Sequence, residues 1–237
     1  MWKNKKISVV LPAYNEEENI KVAVQNFFST KVVDEVIVVD NNSSDNTAKE
    51  VRKTRAKLVK ETKQGYGNAL RRGLKEAKGE IIITCEPDGT FLSSDIFKLL
   101  VYGDDFDVVF GTRTSKECIW EGANMNWFLR LGNWFVAKVL EYLFNGPSLT
   151  DVGCTYKLIK KKALKKIINR FTVGKSHFSP EFMILCIHNK FKVVEIPVNY
   201  GTRIGISKIT GSFWKAFKLG FVMLWLILSY RLGLNKK

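Results

Sequence analysis

Glu86 and Asp88 stand one residue apart at the end of the run IIITCEPDG. The stretch Ile81-Ile82-Ile83 is β-branched throughout and too short for a helix, so it reads as a strand covered on both faces. Ligands of open α/β sheets gather beyond the carboxyl ends of strands, where these two acids would meet an arriving substrate. Hard carboxylate oxygens suit Mg²⁺ or Mn²⁺, and Mg²⁺ commonly takes one or two carboxylates plus substrate phosphates. By itself, Pro87-Asp88-Gly89 reads first as an ordinary acidic turn.

Two further strand ends change that balance. The apolar run at 35–39 ends at Asp40 in VIVVDNNSSDNT, and the run at 7–11 leads into Pro12-Ala13-Tyr14-Asn15-Glu16. Three apolar strands thus deliver polar groups from their carboxyl ends. Helical patterns alternate with them, the signature of βαβ units. Asn15 is expected to cap a helix through residue 28, with Glu16, Glu17 and Glu18 in its first turn. Ser44 caps a second helix toward residue 55, and a third over 68–78 closes on Gly79 at the C′ position. Ser93 or Ser94 opens a fourth, which Gly103 ends. The first half is expected to be a doubly wound α/β layer with strands near residues 7, 36, 57, 81 and 106.

With 237 residues, 46% of them hydrophobic, the chain can bury one sizeable core and an appended segment. The net charge of +15 is unevenly placed: residues 1–159 hold 22 basic and 21 acidic side chains, residues 160–237 hold 16 and 2. A basic cluster serves either nucleic acid or an anionic membrane surface, and its neighbours favour the membrane. FWKAFKLGFVMLWLILSY, at 213–230, is apolar except for Lys215, Lys218 and Ser229, and Trp214, Trp225 and Tyr230 suit an interface belt. Its uninterrupted apolar part reaches about 18 Å against a hydrocarbon core of about 30 Å, so an in-plane or re-entrant helix is expected rather than a span. A buried core or oligomer helix is the alternative. WFLRLGNWFVAKVLEYLF, at 127–144, leaves a second wide apolar surface, and the two segments together form a hydrophobic ledge fit for a lipid. No signal peptide is read at the N-terminus, which leads directly into a strand, so the domain is expected on the cytoplasmic face of a membrane. Cys85, Cys118, Cys154 and Cys186 lie far apart without a CxxC pair, indicating neither zinc nor a disulfide framework. His177 and His188 are read as structural.

In their order and spacing, LPAYNEEENI, VVDNNSSDNT, QGYGNALRRGLKEAKGE, EPDGTF, GTR at 111–113, DVGCTYKLIKKKAL and EIPVNYGTRIGISKITG resemble the motifs of family 2 glycosyltransferases, particularly the polyprenyl-phosphate sugar transferases. The likeness covers nearly the whole chain. It implies a GT-A fold, a Rossmann-like α/β sandwich with amphipathic membrane-proximal helices. The catalytic domain would occupy residues 1–211, including a helix near 127–144, and residues 212–237 would form a basic, apolar membrane-associated helix. The implied reaction moves a hexose from a UDP- or GDP-sugar to a polyprenyl phosphate with inversion, in one displacement, without nucleic acid as a partner.

The resemblance also assigns residues. Pro12, Ala13, Tyr14, Glu16 and Gly67 belong to the nucleotide pocket, Glu16 at the ribose, and Asp40 meets the base. Asp88 holds Mg²⁺ or Mn²⁺ at the diphosphate, while Glu86 departs from the family's usual first Asp and has a longer arm, leaving direct or water-mediated ligation open. Arg113, Arg130, Arg203 and Lys208 take positions associated with the acceptor phosphate, for which Arg offers bidentate contact. Asp151 is a catalytic base or an orienting acid: a sugar hydroxyl acceptor needs a base, a phosphate does not. A saccharide or glycolipid acceptor is the alternative reaction, and a non-catalytic membrane-surface module the rival of another class. A nicotinamide site fails because Gly65-Tyr66-Gly67-Asn68-Ala69-Leu70 carries Leu where GxGxxG requires Gly or Ala, and no GxxxxGK[ST] occurs.

Overall fold

The computed structural model describes residues 1–204 and 213–234. Five parallel-type strands arise where the sequence expects them: β1 (Ile7–Ala13), β2 (Glu35–Asp40), β3 (Lys57–Lys60), β4 (Ile81–Thr84) and β5 (Val108–Thr112). Two more complete the sheet, β6 (Lys157–Lys160) and β7 (Val193–Pro197), in the order β3-β2-β1-β4-β6-β5-β7. β6 runs antiparallel to both β4 and β5, so the sheet is mixed and β5 does not lie beside β4. β1 is central to the parallel half, with Ala13 opposite Asp40 and Val10 opposite Thr84. The ends of β1, β2 and β4 therefore open on one side of the molecule.

Alternation along the strands separates two cores. Val9 and Leu11 face helices α1 (Ile20–Ser29) and α4 (Ile96–Asp105), while Val10, Ile37 and Val39 face α3 (Tyr66–Glu76). α3 lies tight on the sheet because Gly73 has no side chain: a Cβ there would come within 2.3 Å of Val10 Cγ1. The same core includes α5 (Trp127–Phe144), α6 (Lys161–Ile167), α7 (Phe178–His188) and α8 (Phe213–Arg231). α8 joins through buried Met223 and Ile227, and the Tyr230 hydroxyl donates to Glu181 at 2.8 Å. Among the described residues, no helix is long and apolar enough to cross a membrane.

Helix starts differ from those expected. Asn15 does not cap α1. It sits in the left-handed region at φ 56° while Asn19 takes the N-cap position, so Glu16, Glu17 and Glu18 precede the helix instead of filling its first turn. The loop is tied across to β2's end: Asn15 Oδ1 accepts from Ser44 N at 2.9 Å and Glu17 Oε2 from Asn46 N at 2.8 Å. With Ser44 so engaged, α2 (Thr47–Arg52) starts later, with Asp45 accepting from Thr47 N. α3 starts at Tyr66 and ends at Glu76, and Gly79 lies against Ser8 and Lys6 instead of capping it. α4 continues through Gly103 to Asp105, because that glycine lets the helix approach Leu158 of β6.

Candidate active site

The loop after β4 carries the two acids into the open end of the sheet. Asp88 is fully buried, and its Oδ1 accepts from Thr90 N at 3.1 Å and Thr90 Oγ1 at 2.6 Å. Its Oδ2 accepts no hydrogen bond but lies 3.0 Å from Arg203 Nη1. Burial, reinforced by the Asp88 carboxylate, pushes Glu86 up to about 8 against the opposing pull of Arg203 and Arg113. Two acids this close cannot both ionise cheaply without a cation. Two carboxyls, with Asp88 Oδ2 met by Arg203 alone, supply hard oxygen donors of the kind a divalent metal takes. No group of three or more His, Cys, Asp or Glu side chains that could hold a metal ion occurs among the described residues, so a metal here would complete its shell with water and substrate oxygens.

Arg203 ties the far end of the chain to this centre. Its Nη2 is 3.7 Å from Glu16 Oε1, Ile204 N donates to Asp88 O at 3.0 Å, and Asn19 Nδ2 donates both to Glu16 Oε2 and to Ile204 O. Residues from β1's end, β4's end and the segment after β7 therefore meet at one point.

The second constellation is Arg113 and Asp151. Arg113 follows β5 directly, and its Nε and Nη2 donate to the two oxygens of Asp151 at 2.8 and 2.9 Å. Asp151 also accepts from Arg113 N and Gly153 N, and is completely buried. Burial alone would raise it, yet the facing guanidinium holds it below the ordinary carboxylate range. Four hydrogen bonds and a depressed pKa make a poor proton acceptor and a good clamp. Of the two roles open to Asp151, this geometry favours the orienting acid. Glu195 supports it from behind, accepting from Thr150 N, Thr150 Oγ1 and Asp151 N.

A cavity of about 930 Å³ joins these groups, lined among others by Pro12, Ala13, Tyr14, Glu16, Glu86, Arg113 and Arg203. Asp88 and Asp151 lie just behind Glu86 and Arg113, without lining it. Asp40 is buried at β2's end, accepts from Ser43 N at 3.1 Å in a turn, and does not line the cavity. Gly67 sits inside α3 against Val173 O, and Arg130 on α5 is likewise absent from the lining. Lys208 lies outside the described residues.

Sequence reading missed Asn41, which lines the cavity. Its amide donates to Glu61 O and Lys63 O and accepts from Gly65 N, holding the loop that precedes α3. Gly65 fits there at φ 140°, where a Cβ would meet Gly174 O at 2.2 Å. The double Asn after Asp40 was the available signal. Lys175 and Ser176, also on the cavity wall, come from a loop with no motif of its own.

The family model described as "Glycosyl transferase family 2" matches residues 8–168. The chain belongs to glycosyl transferase family 2. Its relatives within reach include an uncharacterised protein of Methanocaldococcus jannaschii, 32% identical over 224 residues that cover 90% of each chain. The dolichyl-phosphate beta-glucosyltransferase of Homo sapiens is 28% identical across 97% of this chain and 77% of its own. Among solved structures, glucosyl-3-phosphoglycerate synthase from Mycobacterium tuberculosis, crystallised with Mn²⁺, UDP and glucosyl-3-phosphoglycerate, superposes with a TM-score of 0.69 at 18% identity, over 97% of this chain and 81% of that one. That likeness establishes the GT-A fold. This family 2 chain is thus a glycosyltransferase that uses a nucleotide sugar, which sets aside the non-catalytic membrane module.

Proposed function

We propose that this family 2 enzyme transfers a hexose from a UDP- or GDP-sugar to a polyprenyl phosphate, with inversion, on the cytoplasmic face of a membrane. The observation that carries the reading is the continuity of the cavity. One end holds Glu16, Glu86, Arg113 and Arg203, and the other is walled by apolar side chains of α5 and α8. An acceptor with a charged head and a hydrocarbon tail matches both ends. The 28% identical human relative, named for dolichyl phosphate, supports the same acceptor class.

The proposed chemistry follows from charge. Asp88 and Glu86 would hold Mg²⁺ or Mn²⁺, which when bound neutralises the charge developing on the departing nucleotide diphosphate. Pro12, Ala13 and Tyr14 form the wall along which the nucleotide lies, with Glu16 directed at its ribose. Arg113, held rigid by the Asp151 fork, would present its remaining donors to the acceptor phosphate, and Arg203 lines the same cavity. A phosphate acceptor is already an oxyanion near neutral pH, so its oxygen attacks the anomeric carbon without a protein base. The saturated Asp151 suits this acceptor better than a sugar hydroxyl.

Membrane attachment rests on the outer faces of the same helices. Trp127 is 74% exposed, Trp214 73% and Trp225 65%, and none of the three lines the cavity. Such a surface exceeds what a water-facing helix carries, and the net charge of residues 160–237 would draw it to anionic lipid. Cys85, Cys118, Cys154 and Cys186 are all free thiols, in keeping with a reducing compartment. The test is incubation with UDP- and GDP-hexoses, Mg²⁺ or Mn²⁺, and polyprenyl phosphate, followed by mass spectrometry of the lipid phase. A hexosyl phospholipid is expected; a hexose found only on added glycolipid or saccharide would refute the phosphate acceptor.

A further inference from the structure

α5 and α8 pack beside one another, and each carries a glycine on the cavity wall, Gly132 and Gly220. Glycine inside a helix is destabilising relative to alanine, so its presence calls for a reason. At Gly73 and Gly103 the reason is close packing against the sheet. At Gly132 and Gly220 a Cβ would meet nothing within 4 Å among the described residues. Neither close packing nor a left-handed backbone accounts for either one. What the two share is a place in the lining of the same cavity, one on each helix.

The surroundings define what the space would hold. Phe128 and Phe135 flank Gly132 at helical spacing, and Phe217, Phe221 and Leu224 flank Gly220. Phe135 and Phe221 line the cavity and remain more than half exposed among the described residues. At its inner end the same cavity reaches Arg113 and Arg203. An occupant therefore has an anionic head and an apolar tail that leaves between the two helices.

We propose that Gly132 and Gly220 form a slot that admits the prenyl chain of the acceptor and set which chain lengths the enzyme accepts. This rests on the polyprenyl-phosphate reading above. A leucine at either position projects into the slot, and because leucine is a better helix former than glycine, folding is preserved or improved. A long prenyl chain must pass the slot, whereas a short one ends near the arginines.

The experiment compares the unmutated full chain with Gly132→Leu and Gly220→Leu. In each variant KM for undecaprenyl phosphate is expected to rise about tenfold or more, while KM for geranyl phosphate and the affinity for UDP stay within about twofold. An unchanged KM for undecaprenyl phosphate in both variants overturns the slot. A photoreactive prenyl phosphate, read by peptide mapping, provides a measure independent of turnover. Labelling of residues 127–144 or 213–231 that is lost in the leucine variants supports the slot, and if no sugar moves, the proposed reaction alone falls. Labelling elsewhere alongside normal transfer overturns the slot and leaves the reaction standing; neither labelling there nor transfer overturns both.

Discussion

The donor end and the acceptor end of the cavity are built by different means. At the donor end, the termini of β1, β2 and β4 fix polar groups within a parallel sheet whose hydrogen bonds leave little freedom. At the proposed acceptor end, α5 and α8 meet through side-chain packing in the helical core. The rigid end suits a step that needs preorganised charge, and the helical end suits a tail recognised by its apolar character alone. Substitutions should therefore separate: donor-end changes act on kcat, acceptor-end changes on KM and membrane binding.

The largest effect is expected at Asp88. Asp88→Asn keeps an oxygen for the Thr90 bonds but removes the charge that faces Arg203 and would hold the proposed metal, and should lower kcat by about 10²–10³ with the melting temperature retained. Steady-state kinetics with Mn²⁺ titration checks it; full activity would end the assignment of the diphosphate centre.

Asp151→Ala comes next and blurs the division, since it serves both ends. Removing one partner of a buried pair should cost about 3–5 kcal/mol of stability, read by denaturant titration, and leave Arg113 misplaced. The pair also sets an acid limit. Because Asp151 is depressed in the folded state, its stabilisation is complete above its unfolded value, about pH 3.9, and is lost as pH falls below that through the folded value. Asp151→Asn should flatten that part of the stability–pH curve.

At the acceptor end, Trp214→Ser with Trp225→Ser should weaken sedimentation with anionic vesicles by about tenfold or more while sparing UDP binding. Unaltered sedimentation would remove α8 from the membrane surface. The smallest change is Tyr230→Phe, which deletes one hydrogen bond to buried Glu181 and should destabilise by about 1 kcal/mol without altering KM for the donor.

The two ends were also unequally legible in the sequence. Ile81-Ile82-Ile83 and the run before Asp40 announce buried strands, and the acids that follow mark the site by their position. Helix starts were less legible, because Asn15 and Ser44 have capping side chains but spend them on each other across two loops. β6 was hidden by Lys157, a residue that reads as surface yet is buried, with its ammonium donating to Cys154 O and lying 5.2 Å from the Phe110 ring. Arg113 and Asp151 are 38 residues apart, and nothing local to either predicts the bidentate fork. Asn41 could have been found as a polar residue ending a buried strand. The walls of the acceptor cavity depend on how α5 and α8 pack, which periodicity does not specify.

Direct competition between acceptors tests the central claim most closely. With UDP-glucose or GDP-mannose as donor and Mn²⁺ present, the full chain is offered polyprenyl phosphate in mixed vesicles together with 3-phosphoglycerate and a glycolipid lacking phosphate. Hexose recovered on the polyprenyl phosphate is the predicted result. Hexose recovered only on the phosphoglycerate or the glycolipid would contradict it.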